Sequence, residues 1–139
     1  MPDLIYTSGI FDLVTGAIDS DTDTFKVMLV TSTYTPNKST HLKRSDVTNE
    51  VTGTGYTAGG VTVTCTVAKN TTANTVTMTF SSASWPTSTI TARGAVYYKS
   101  RGGAASADEI IGYNDFDNNI VSSGGTFSVP SAVLTINNP

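Results

Sequence analysis

Val61-Thr62-Val63-Thr64-Cys65-Thr66-Val67 alternates apolar and polar side chains without a break, and Thr75-Val76-Thr77-Met78-Thr79-Phe80 repeats that period of two. Alternation of this kind puts one apolar face on a pleated strand, and the intervening Lys69-Asn70-Thr71-Thr72-Ala73-Asn74 supplies turn formers. The pair predicts an antiparallel hairpin. Cys65 lies in phase with Val61, Val63 and Val67, which predicts a buried small hydrophobe, not a nucleophile.

Working outward, Phe25-Lys26-Val27-Met28-Leu29-Val30-Thr31 is apolar at successive positions, as a strand covered on both faces would be. Ala92 to Lys99 and Glu109 to Phe116 predict a second hairpin about a mobile Gly- and Ala-rich turn from Arg101 to Ala107. Thr126 to Val129 and Ala132 to Ile136 close the chain. Trp85-Pro86 is expected to end the first hairpin, because proline cannot donate to a ladder, and Pro130 fits only an edge or a bulge. Leu4, Ile5, Ile10, Phe11, Leu13, Val14 and Ile18 fall near helical spacing, with Asp3 or Ser8 as candidate N-caps and Gly16 as the stop. Residues 33 to 60 hold few apolar side chains and many turn formers, so they predict one long connection. About seven strands and one short N-terminal helix predict an all-β antiparallel sandwich or jelly-roll-like fold. With no repeat and no linker in the sequence, residues 1–139 are expected to form one domain.

Charged residues make up 14% of the chain and the net charge is −3. This surface offers no basic face for a phosphate backbone, so nucleic acid is not an expected partner. The Lys43-Arg44 cluster, with Lys38 and His41 nearby, reads as a solvated loop. A single cysteine excludes an intrachain disulfide and a thiolate zinc site. A signal peptide and an 18-residue apolar run are not found, so a soluble protein with no membrane partner is expected.

The search for chemistry is brief. Asp19, Asp21 and Asp23 have the spacing that opens a calcium loop, but Thr24 stands where glycine is needed and Val30 where a bidentate Glu is needed. An acidic turn is expected, and no metal. His41 is the one histidine, its neighbours Ser39, Ser45 and Asp46 share its loop, and no Gly-x-Ser-x-Gly elbow is found. Asp108, Glu109, Asp115 and Asp117 offer carboxylates at strand ends, without a spacing that fixes a hydrolytic pair. Gly53 to Gly60 lacks the Lys-Ser/Thr ending of a phosphate loop and precedes a strand. Tyr97, Tyr98, Tyr113 and Trp85 are read as core rings, with a sugar-stacking platform as the rival. These residues predict neither an enzyme nor a cofactor.

Three blocks in order, Asp21 to Pro36, Glu50 to Val61 and Ala92 to Lys99, make the chain similar to small virion structural proteins of tailed bacteriophages. The resemblance implies a β-rich capsid decoration or cement protein without catalytic residues. It would bind the major capsid protein on the outer surface of the virion, after synthesis in the host bacterial cytoplasm, and would act as a homo-oligomer. A tail or head-fibre module binding a host receptor or glycan is the alternative. On this reading the loop from Thr33 to Gly60 and the N-terminal segment face the capsid, with Tyr34, Pro36 and Tyr56 as partner-binding anchors. The same rings have a second use, pinning the loop to its own domain.

Overall fold

A computed structural model describes residues 3–139. β1 (Leu4–Ile5) leads into α1 (Thr7–Thr15), then β2 (Phe25–Val30), β3 (Val61–Val63), β4 (Cys65–Asn70), β5 (Thr75–Phe80), β6 (Ala83–Lys99), β7 (Ile110–Val129) and β8 (Ala132–Asn137). One sheet has the order β1-β7-β6-β2-β3 and the other β4-β5-β8, with antiparallel pairing throughout. The all-β, sandwich-like arrangement with one helix is the one the alternation predicts. The helix ends at Gly16, whose φ of 84° is left-handed, but its N-cap is Tyr6 and neither Asp3 nor Ser8 caps it through a side chain.

Three expectations need correction. The alternating stretch from Val61 to Val67 is not one strand, because the chain changes sheets at Thr64. Val61–Val63 pairs with β2, whereas Cys65–Asn70 pairs with β5. Trp85-Pro86 does not end a strand either. β6 runs through it, with a register shift between the Trp85–Phe127 and Ser88–Gly125 pairs. Proline is tolerated there because β2 reaches only Gly94 to Lys99 of β6, so Pro86 owes no hydrogen bond to a strand on that side. Finally, β7 is continuous from Ile110 to Val129, including 117–125, which carry too few apolar residues to read as a strand.

β5 with β8 and β6 with β7 form one ribbon. Phe80 faces Ala132 and, three residues on, Ala83 faces Val129, so the register passes through the bend unchanged. The bend falls at Ser81-Ser82 on one strand and Pro130-Ser131 on the other. It is tied to the crossing at Thr64. The Ser81 amide donates to the Thr64 carbonyl at 2.9 Å, and the Thr64 amide donates to Ser81 Oγ at 3.0 Å.

Both faces of β2 are covered. Phe25, Val27 and Leu29 enter the main core, where Phe80 stacks on Tyr97 at 4.8 Å and meets Phe25 edge-on at 5.6 Å. Met28 and Val30 enter a second cluster with Tyr6, Tyr34, Val96, Tyr98, Ile110 and Tyr113. Cys65 is half-buried against the main core, and burial pushes its thiol up to about 11, so it is a protonated packing group at neutral pH.

Gly60, at the entry to β3, has φ of 74°, and a Cβ there would collide with the Val27 carbonyl. Gly102 has φ of 78° in open space. Gly102→Ala is expected to cost about 1 kcal/mol, the left-handed penalty alone, and Gly60→Ala about 3 kcal/mol or more. Urea unfolding of the two variants measures the difference.

Candidate interaction surfaces

The loop from Thr33 to Gly60 has almost no regular structure beyond a 3₁₀ turn at Arg44–Asp46, yet side chains fix it at every stage. The Tyr34 ring is buried. Its hydroxyl lies 2.7 Å from the Tyr6 hydroxyl and 2.8 Å from His41 Nδ1. The Asn37 amide donates to the same nitrogen at 3.3 Å, which makes Nδ1 an acceptor; Tyr34 therefore donates to it and accepts from Tyr6. Burial raises the pKa of both tyrosines, so the chain of hydroxyls stays protonated.

Next along the loop, Arg44 Nε meets Asp108 Oδ2 at 2.8 Å, and its guanidinium lies 5.1 Å from the centre of the Tyr98 ring. The Arg44 amide donates to the Asp108 carbonyl at 2.9 Å, and the Arg101 amide to Asp108 Oδ1 at 2.9 Å. Glu109 beside it takes Arg101 Nε at 2.6 Å and Lys43 Nζ at 3.8 Å. Asp108 and Glu109 are each only 1% exposed, so these cations balance two buried charges. The Lys43-Arg44 cluster is thus no solvated loop. It is the clamp between the long connection and the β6–β7 turn.

The loop ends on three further ties. Glu50 accepts the Gly59 amide at 2.7 Å, and its burial raises its pKa. Tyr98 donates its hydroxyl to the Gly59 carbonyl at 2.6 Å. Tyr56 accepts the Leu29 amide at 2.9 Å and lays its ring 5.8 Å from that of Trp85. Of the three anchors read from the sequence, Tyr34 and Tyr56 therefore hold the loop to its own sheets. Pro36 alone reaches a surface recess, with Asp3, Leu4, Asn37 and Lys38.

The other candidates are also placed. Tyr97, Tyr98, Tyr113 and Trp85 are buried, so they form no surface platform for sugars. Asp115 pairs with Arg93 at 2.6 Å. In the acidic turn the Asp19 amide donates to Asp23 Oδ2 at 2.7 Å, the Asp21 amide donates to Asp19 Oδ1 at 3.0 Å, and Asp23 pairs with Lys99 at 2.8 Å. Among the described residues there is no group of three or more His, Cys, Asp or Glu side chains placed to hold a metal ion. No described helix is long and apolar enough to cross a membrane.

One surface escaped the sequence reading. Ile5, Ile10, Leu13 and Val14 line an apolar groove of about 380 Å³ against Leu134 and Ile136 of β8, with Val14 81% and Ile136 55% exposed. The spacing of the apolar positions of α1 predicts a helix and does not say which of them a neighbour covers. The available signal is their width: Ile10, Phe11, Leu13 and Val14 cover more of a nine-residue helix than one buried stripe needs. No family model, no curated protein and no solved structure matches the chain.

Removing the cation from a buried pair strands the acid. Arg44→Met is expected to cost about 3 kcal/mol in chemical denaturation by leaving Asp108 uncompensated. Asp46 accepts the Leu42 and Lys43 amides at 2.8 and 3.0 Å, which hold its carboxyl below the usual range. A lowered folded pKa gives stability that is present above the unfolded value of about 4 and is lost as pH falls through the folded one. Asp46→Asn should therefore melt below the wild type at pH 6, and the gap should close toward pH 2 to 3 in thermal scans across that range.

Proposed function

We propose that this chain is a virion structural protein that binds and assembles and does no catalysis. The specific reading is a capsid decoration protein, seated on the outer surface of a tailed-phage head through the major capsid protein. The observation that carries it is the long loop from Thr33 to Gly60, held rigid by Tyr34, Arg44, Glu50 and Tyr56. A loop already ordered in the free protein forfeits little entropy on docking, which suits a protein that engages one fixed lattice. Tyr34, Arg44, Glu50 and Tyr56 make their bonds within the chain, and the exposed residues of the loop are mostly threonine, serine, asparagine and glycine, with Lys38 and Leu42 among them. Such a face makes weak contacts, and weak contacts repeated over a lattice of many copies hold a shell together.

With Tyr34 buried and Tyr56 half-buried against the main core and bonded to Leu29, the contact is assigned to the loop surface around Pro36 and to the N-terminal segment beside it. Co-sedimentation with heads of the encoding phage, stripped of accessory proteins, tests the reading. Saturable binding at a fixed ratio to capsid subunits is expected, weakened about tenfold or more by Pro36→Asp. Absence from heads, with retention on tails or on a glycan array, would overturn it in favour of a fibre module that binds a receptor or glycan.

A further inference from the structure

β6 runs on past the end of β2. Beyond the Val30–Gly94 pair the far end of the long loop lies beside it, with Glu50 bridged to Val30 and Thr54 bridged to Thr89. A cleft of about 400 Å³ opens there, lined by Thr31, Glu50, Thr52, Thr89, Thr91 and Ser123. Backbone bonds hold its walls: the Thr31 amide donates to the Asn49 carbonyl at 2.9 Å, the Val51 amide to the Leu29 carbonyl at 3.0 Å, and the Thr89 amide to the Thr54 carbonyl at 2.9 Å. Gly53 permits the close approach, since a Cβ there would meet the Thr89 carbonyl. The cleft is therefore formed before any ligand arrives.

Its chemistry is that of free hydroxyls. Thr52, Thr91 and Ser123 are exposed and make no side-chain hydrogen bond among the described residues. Thr89 Oγ1 accepts the Gly124 amide at 3.1 Å and Thr31 Oγ1 the Thr33 amide at 3.4 Å, so each keeps a proton to donate. Ser122 is spent on Ser88 at 2.8 Å and belongs to the floor with buried Ile90. Glu50 is the one charged residue in the lining. Its carboxylate takes the Gly59 amide at 2.7 Å and has lone pairs to spare. Val121, 65% exposed, adds an aliphatic patch.

We propose that this cleft binds a neutral saccharide of roughly one or two rings. A hydroxyl donates and accepts and turns to suit, so a row of hydroxyls is matched by a ligand that carries a row of its own. The lining holds no Lys, Arg or His, and Glu50 adds a negative charge, which turns away phosphates, sulfates and acidic sugars. Val121 can meet the C–H face of a sugar ring. No aromatic ring lines the cleft, so the site is weak, with a dissociation constant of about 1 mM. It shares no lining residue with the recess at Pro36, so sugar binding is a property separate from head binding, and a protein that does both leaves the reading above intact.

The test is a titration of the isotope-labelled full chain with glucose, galactose and N-acetylglucosamine, followed through its amide resonances. At least one sugar should give saturable shifts confined to residues 31, 50–52, 89–91 and 121–123, and glucuronate and N-acetylneuraminate should bind at least about tenfold more weakly. Thr91→Val with Ser123→Ala removes two hydroxyls at exposed positions and should weaken the sugar at least about fivefold. The melting temperature checks that the variant is folded, and Thr66→Val on β4, outside the cleft, is the control. No shifts with any sugar, shifts elsewhere on the surface, equal binding of the acidic sugars, or a double variant that binds as the wild type does would overturn the proposal. Shifts of the same amides by calcium chloride or butylammonium, with none from sugars, would overturn it in favour of a cation site.

Discussion

The structure depends on the pair of hydrogen bonds between Thr64 and Ser81. Two strands change sheets at that point, and each amide at this solvent-facing corner would otherwise lose its ladder partner. By exchanging bonds, the two crossings satisfy each other and fix where the second sheet departs from the first. The aromatic stack of Phe25, Phe80 and Tyr97 follows, since Phe80 is the last residue before the bend and lies between rings supplied by the opposite sheet.

A second layer of order lies outside the sandwich. The outer face of β2 and β6 would expose Met28, Val30, Val96 and Tyr98 if the long loop were free, and the loop has too few apolar residues to cover them by itself. Polar ties make up the difference. The buried carboxylates Asp108 and Glu109 draw Arg44 and Lys43 across the face, and the hydroxyls of Tyr6 and Tyr34 lock the near end. The same residues that keep water from the second cluster also give the loop a single shape, so stability and a defined outer surface share one cause.

Strand identity was legible wherever a period of two ran against a buried face, as in Val76, Met78 and Phe80. The double-sided burial of β2 was legible in its unbroken apolar run. The crossing at Thr64 was not, because alternation continues through a change of sheet: Cys65 keeps the phase of Val63 while its hydrogen-bond partner changes. The middle of β7 was hidden for a different reason. From Asp117 to Gly125 its side chains are exposed apart from Ser122, which is buried against Ser88, so the segment shows no hydrophobic pattern. As for the candidate sites, proximity in sequence suggested Tyr34, Pro36 and Tyr56 as a set. Their partners separate the two tyrosines, bonded to Leu29 and to Tyr6 and His41, from the proline at the recess, and a sequence gives no direct sign of which way a loop side chain turns.

The unbroken register of the bent ribbon links two distant stretches of chain by length. Ser81-Ser82 and Pro130-Ser131 must contain matching numbers of residues, or every side chain from there to the next bulge changes face. A residue lost from one corner sends Ala83 and Trp85 outward and brings Ser84 into the core. A matching loss from the other corner, nearly fifty positions away, restores the pairing. Relatives of this chain should therefore gain and lose residues at the two corners together, a covariation of gaps, with the irregularity around Thr87 and Gly124 as the nearest place where slack is absorbed.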